Sequence, residues 1–464
     1  MGLGQGGVLT SMANAGTAYR GTRATAMVAA FAVLVLSTGA HAAGFALREQ
    51  SASAQGNAFA GATAAAEDVS YMFFNPATLG FLTGYQALAV VNYIRPQTEL
   101  SGASGATAFG SPIGGRTSAG DVTDDVVTPA LYGMAELPLG LRAGVGISVP
   151  FGLQVGYPGN WVGRYHVVSS ELQTVNINPA LAWRPLDWLA VGAGLQVQYA
   201  DAEINSAVDF GTIGAAAGIP GAAPAGQDGS ARLKGDDWAV GFNLGAIVEP
   251  VKGTRIGLAY RSELEHELEG DARFSLDQAG IGAALRAATG AFANTGASTK
   301  ITTPAMLSAG LHQELTPRWA VMGEVAWTEW STFKELRIRF DNPAQPDNFT
   351  EEDWRDTFFV ALGTTYRPTD EVTLRGGIAF DQTPVEDEHR TPLIPDADRY
   401  WLSFGVGWQP LHWLGVDAGY THIFVDSADV DLNATDPGST FRGSLDASYD
   451  TRIDIFTVSG KISF

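Results

Sequence analysis

The sequence predicts an all-β fold, a 14-stranded antiparallel transmembrane β-barrel with an N-terminal hatch (plug) inside its lumen. Three observations carry that expectation. Apolar and polar residues alternate with period two over runs of about 10–14 residues, roughly twice the usual globular strand. Tight, punctuated links alternate strictly with long ones. Beyond the first forty-odd residues no continuous apolar stretch approaches ~18 residues, so any membrane crossing has to be made by strands.

The first element is not structural. Arg20 and Arg23, the apolar run Ala26 to Leu36 and the small-residue site Ala40-His41-Ala42 have the layout of a secretory signal. Residues 1–42 are therefore expected to be removed, with Met12 as an alternative start of translation. Residues 43–84 follow, rich in Ala, Gly and Ser, with isolated aromatics at Phe45, Phe59, Tyr71, Phe73 and Phe74. They show no alternation and close on Asn75-Pro76-Ala77, where proline forces the preceding residue into an extended or turn conformation. A segment that packs tightly yet builds no sheet suits a plug within a cylinder. A disordered tail is the other reading.

Residues 85–464 form the expected barrel, with strands near 85–99, 128–137, 140–152, 171–184, 188–203, 236–249, 254–268, 301–314, 318–331, 354–368, 371–382, 399–410, 412–426 and 449–464. In Leu189–Tyr199 the odd positions are apolar, against Ala190, Gly192, Gly194, Gln196 and Gln198. Between Arg255 and Leu268 the even positions Ile256, Leu258, Tyr260, Ser262, Leu264, His266 and Leu268 read as one face. Phe456, Val458, Gly460, Ile462 and Phe464 alternate with Thr457, Ser459, Lys461 and Ser463. Six links are short, such as Pro138-Leu139 and Pro410-Leu411; the others, such as 204–235, 269–300 and 427–448, are long. That arrangement puts both termini on the short-turn side, as in bacterial outer-membrane barrels. Trp183, Trp188, Trp319, Trp408 and Trp413 flank short turns, while Trp327, Trp330, Tyr199 and Tyr420 lie towards the far ends, as two interfacial girdles would require. A soluble β-sandwich also alternates, but its strands should be shorter.

Composition narrows the function. A formal charge of −21 repels nucleic acid. With no cysteine there is neither disulfide nor thiolate chemistry. The 56 glycines and 11 tryptophans fit a membrane barrel, where glycine relieves crowding and tryptophan sits at interfaces. No catalytic residue, metal site or cofactor is expected. No G-x-S-x-G occurs, and the one G-x-G-x-x-G match, Gly2 to Gly7, follows no strand. The histidines, His166, His312 and His389 among them, are scattered surface or lumen residues. Asp121-Asp124-Asp125, Glu351-Glu352-Asp353 and Glu386-Asp387-Glu388 read as solvated loop charge, with cations bridging lipopolysaccharide as the alternative. A general porin, a purely structural barrel, or a barrel hydrolase whose dyad needs no linear motif stays open.

Fourteen strands enclose more space than wall side chains fill, so the lumen needs a stopper, and residues 43–84 are the candidate. Their phenylalanines Phe45, Phe59, Phe73 and Phe74 are candidate apolar lumen contacts, which a pore for polar solutes has little reason to gather. In the third strand, Pro150-Phe151-Gly152 predicts either a kink, bulge or wall gap, or simply the strand's end at Val149.

These residues resemble the FadL/TodX family of outer-membrane transporters of long-chain fatty acids and aromatic hydrocarbons. The similarity runs from the hatch sequence ending in Asn75-Pro76-Ala77 through 157–183, 199–204, 259–270, 377–385 and 394–405 to the terminal Phe464. The resemblance implies a location in the bacterial outer membrane and passive movement of a hydrophobic small molecule. Outer loops would capture it, an apolar pocket would hold it, and a gap at the kink Pro150, Phe151 and Gly152 would release it sideways. Implied partners are outer-membrane lipid, lipopolysaccharide and, through Phe464, the barrel-assembly machinery. No basic group follows 199–204 to meet a fatty-acid carboxylate; Arg261, Arg375 and Arg399 are candidates from elsewhere. Substrate class stays open between fatty acid and neutral hydrocarbon.

Overall fold

The computed structural model describes residues 44–464. The expected signal peptide, 1–42, and Ala43 lie outside the described residues.

All fourteen expected strands have counterparts among the described residues. They are β1 Tyr85–Ala106; β2 Val126–Glu136; β3 in two pieces, Leu141–Ser148 and Gly152–Gly156; β4 Ser169–Leu186; and β5 Leu189–Asp209. Then come β6 Asp228–Val251; β7 Thr254–Arg261 with Leu264–Ser275; β8 Thr295–Thr303 with Met306–Thr316; β9 Trp319–Thr328 with Glu335–Phe340; and β10 Asn348–Glu351 with Thr357–Tyr366. Last are β11 Val372–Asp381; β12 Arg399–Leu411; β13 Leu414–Val425 with Ala428–Leu432; and β14 Ser444–Ser463. Each pairs antiparallel with its sequence neighbour, and β1 pairs with β14 from Gln86↔Ser463 to Ala106↔Ser444, which closes the cylinder. The terminal Phe464 is bound into this seam, exchanging backbone hydrogen bonds of 2.9 Å with Tyr85.

The faces are inverted relative to a soluble protein. In β5 the apolar Val191 and Leu195 face outward, while Ala190, Gln196 and Gln198 are buried in the lumen. The same outward belt includes Val240, Phe242, Leu258, Leu362, Phe404 and Val458, a composition that hydrocarbon rather than water stabilises.

The structure corrects four expectations. Several strands run far beyond the reading: β6 begins at Asp228 rather than 236, and β1 ends at Ala106 rather than 99. The long links are therefore partly tall hairpins, two of them carrying short helices, Phe210–Ala216 and Ile281–Thr289. The even positions of 255–268 are not one face. Asn243↔Arg261 and Asp236↔Glu269 match seven steps on β6 with eight on β7, so one extra residue bulges at Ser262–Glu263. Ile256 and Leu258 consequently face out, but Leu264, His266 and Leu268 face in. Trp330 belongs to no girdle: it is 1% exposed and turned inward. Glu352 is likewise not a solvated loop acid but 1% exposed.

Candidate functional site: the filled lumen and the break in strand three

Residues 44–84 occupy the lumen in three short turns, each started by a side-chain cap. Ser51 Oγ accepts from Ala54 N at the helix Ala52–Gln55; Asp68 and Asn75 do the same for the 3₁₀ turns Val69–Phe73 and Pro76–Phe81. These caps satisfy donors that the short turns leave free. Asn75, Pro76 and Ala77 are buried together. Asn75 does double duty: its Oδ1 caps Ala77 (2.9 Å), while its Nδ2 donates to Thr63 O (2.7 Å) and to Ala246 O on the wall (3.3 Å). The wall makes room with glycine. A Cβ on Gly245 would sit 1.8 Å from Asn75 Oδ1, and one on Gly257 2.1 Å from Thr63 O.

Towards the short-turn end the contacts are polar. Asn57 donates to Thr365 Oγ1 (3.2 Å), Thr63 N–H to Glu324 Oε2 (3.2 Å), and Asn92 Nδ2 to Glu49 O (2.5 Å). Arg375 bridges Glu67 of the plug and Asp417 of the wall, 2.7 Å from each. At the other end of the lumen, where β12 leaves its long loop, Arg399 pairs with Asp396, which also accepts from Gly44 N (2.9 Å). Two of the three expected carboxylate partners, Arg375 and Arg399, are thus neutralised by the chain's own acids. Arg261 is not: it donates to Gln196 Oε1 and to Phe73 O (2.6 Å), lies 4.3 Å over the Phe73 ring, and makes no ion pair among the described residues.

Towards the long-loop end the contacts are aromatic. Phe45 sits among Trp330 (4.7 Å between centroids), Trp354 (5.7 Å), Phe333 and Phe151 (5.9 Å each). Its far side faces a cavity lined by Leu153, Leu172, Leu268, Ile301 and Ile394. Glu352 lines it too, and burial pushes its carboxyl up to about 8, outweighing the bond it accepts from Trp354 Nε1 (3.0 Å). A second, smaller cavity lies deeper, lined by Phe59, Phe73, Phe74, Pro150, Phe151, Arg48 and Arg261. Phe45 therefore lines the outer cavity, and the other three expected phenylalanines line the inner one.

The third strand is interrupted between Ser148 and Gly152. Ser148↔Asn176 is followed by Gly152↔Gln173, so four steps on β3 meet three on β4. On its other side β3 pairs with β2 only as far as Leu131↔Ile147. Among the described residues, Val126–Ala130 pairs with β1 alone and Gly152–Gly156 with β4 alone. Continuing the register would set Pro129 opposite Val149 and Thr128 opposite Pro150, and neither proline has a ladder donor. The ladder resumes only above, where Gly156 N donates to Val122 O (2.8 Å). The plug supplies the missing partner from inside: Leu47 N donates to Pro150 O (2.8 Å), Gly152 N to Phe45 O (2.9 Å), and Ala46 bridges Phe151.

Residues 33–464 match the family described as Outer membrane protein transport protein (OMPP1/FadL/TodX). The chain belongs to the FadL/TodX family. It is 31% identical to the long-chain fatty acid transport protein of Escherichia coli O6:H1 over 425 residues, 88% of this chain and 89% of that one. The crystal structure of a Pseudomonas aeruginosa FadL homologue superposes with a TM-score of 0.84 at 25% identity, covering 91% of this chain and all of that one. The Pseudomonas putida toluene transporter TodX shares the fold at 17% identity, with a TM-score of 0.67 over 91% of this chain and 100% of its own. Like its family, the chain is an outer-membrane transport protein.

Sequence reasoning missed Arg48 and Pro129. Arg48 was the one visible cation in a small-residue segment placed inside the barrel, and that was signal enough. Pro129 carried the same missing-donor argument as Pro150, one strand earlier.

Proposed function

We propose that the chain moves long-chain fatty acids or aromatic hydrocarbons passively, and that residues 43–84 are its hatch. The tall hairpins around 204–235 and 269–300 collect the ligand, and the outer cavity receives it beside Phe45. The inner cavity holds it, and the break between β2 and β3 releases it into the membrane. One observation carries this reading: Pro150 and Phe151, at the missing stretch of ladder, are themselves wall residues of the inner cavity. An apolar ligand there lies against the weakest part of the wall, not above a pore. Each CH₂ moved from water gains about 0.8 kcal/mol, so the site has to bind without trapping. No reaction is involved. Lipopolysaccharide and lipid surround the outward belt, and the exposed side chain of Phe464 is the mark read during assembly. Uptake of oleate or toluene in a host lacking its own transporter tests this. Expression of the chain should restore uptake; correctly inserted protein that restores neither contradicts the reading.

A further inference from the structure

The outward face of β13, β14 and β1 changes character at one level. Below it stand Val91, Tyr93, Val458 and Phe456, with Tyr93 and Tyr420 packed on either side of the Phe456 ring (6.4 and 4.9 Å between centroids). The next outward positions are Arg95 on β1, Asp454 on β14 and His422 on β13, which the ladders set side by side. One step further, Arg452 stands opposite Gln97. Arg95 lies ten residues beyond Tyr85, a climb of about 26 Å on a strand tilted ~40°. The row therefore stands where an apolar band ~25 Å tall ends on the long-loop side. In this row the carboxylates are engaged and the guanidiniums are not. Asp454 accepts from the Tyr420 hydroxyl (2.7 Å) and from His422 Nδ1 (2.8 Å), and Asp125, where β2 turns away from β1, accepts from the Tyr93 hydroxyl. Arg452 Nε donates to a neutral amide, Gln97 Oε1 (2.7 Å). Arg95 makes no hydrogen bond or ion pair among the described residues and acts on Asp454 and Tyr93 only through space. The tall hairpins differ: Arg232 closes on Glu203 with two bonds (2.8 and 2.7 Å), and Arg337 on Glu335 (2.6 and 2.8 Å).

From this layering we infer that Arg95 and Arg452 form a phosphate site for the glycolipid of the outer leaflet. They take a phosphate monoester of lipid A, and its acyl chains lie over Tyr93, Phe456 and Val458. The inference goes beyond the transport reading and does not depend on it. The two arginines lie on a diagonal across β1 and β14, about 7–8 Å apart at the backbone, so two long side chains converge on one anion. A phosphate monoester offers three strong acceptor oxygens and a charge of about −1.5 to −2, and each planar guanidinium can meet it with two parallel bonds. A phospholipid diester has fewer free oxygens and a single charge to offer the same pair. Depth is set from both sides. Below the row the wall suits only hydrocarbon. Above it Glu99 stands opposite Asp450 on one side and Asp121 on the other, carboxylates that repel a phosphate from any higher position. Lipid A carries its phosphates where acyl chains meet sugar, and this row marks the same junction on the wall.

The test uses the folded full chain in detergent micelles, titrated with three probes and read by native mass spectrometry. The probes are lipid A, the same lipid with both phosphates removed, and phosphatidylglycerol. Lipid A should bind at least about tenfold tighter than either of the others. Arg95→Gln and Arg452→Gln should each weaken lipid A about three- to tenfold, and the double variant should bring it to parity with its phosphate-free form. Arg95→Lys should keep part of the preference. Arg337→Gln, which removes a cation already closed on Glu335, should change nothing. Both arginines of the site are exposed on the outside of the barrel, so the variants should keep the heat-modifiable migration of the unmodified protein. Each single variant is informative by itself if the double one fails to assemble. Equal binding of the phosphate-free lipid overturns the site. Phosphatidylglycerol bound as tightly as lipid A overturns the assignment to the outer-leaflet glycolipid. Equal weakening by Arg337→Gln and Arg95→Gln overturns it as well, because it marks diffuse surface charge rather than a paired site.

Discussion

The plug meets the wall in one way around Glu67 and in another around Phe45. At the short-turn end, Arg375 lies between Glu67 and Asp417, and Asn57, Thr63 and Asn75 are each matched to a particular wall atom. Such bonds are directional, and losing one leaves a buried polar group unpaired. At the long-loop end, Phe45 is held by four rings, and an apolar chain can replace those contacts without leaving anything unsatisfied. The polar end can seal against water and ions; the aromatic end can yield to a hydrophobic ligand. A stopper that must do both jobs needs both kinds of contact, at opposite ends.

The contrast breaks most visibly if residues 44–84 are deleted. Steady ion conductance in planar bilayers should then replace a closed baseline, because fourteen strands leave a lumen that wall side chains do not fill. Next in size is Arg375→Met, which strands two buried carboxylates. It should cost about 3–5 kcal/mol, lower the urea midpoint, and admit ions intermittently while ligand uptake persists. Phe45→Ala should cost about 3 kcal/mol locally with the opposite signature: weaker ligand binding and no added conductance. If both variants leak equally, the division of labour between the ends is wrong. The smallest effect concerns pH. Folded Glu352 keeps its proton up to about 8, against an ordinary value of 4.5, so between those values the folded protein binds more protons than the unfolded one. Its contribution is complete below pH 4.5, falls as pH rises, and is lost above about 8. Hydrogen exchange at the Trp354 amide, which donates to Phe333 O (3.2 Å), should accelerate across that window, and Glu352→Gln should flatten the dependence.

Much of the wall was legible because its determinants are local. Alternation, proline-marked turns and flanking tryptophans are properties of neighbouring residues. What stayed hidden depends on distant partners. Arg375 looked available because its partner Glu67 lies 308 positions away. The flip in β7 follows from an extra residue counted against β6, which no single strand displays. Trp330 resembled a girdle residue because an aromatic at a strand end serves equally well as lipid anchor and lumen wall; only Phe45 opposite decides. Glu352 sat in a run of acids that reads as solvated until Trp354 folds over it.

The central claim is that the plug's leading residues close the break in β3 and must leave it for cargo to pass. With no cysteine in the chain, a single engineered pair tests it cleanly: Ala46→Cys with Phe151→Cys, at positions bridged in the closed state. The account predicts that oxidation stops uptake of oleate and toluene, that reduction restores it, and that ion conductance stays closed in both states. Undiminished uptake with the crosslink fully formed would contradict it.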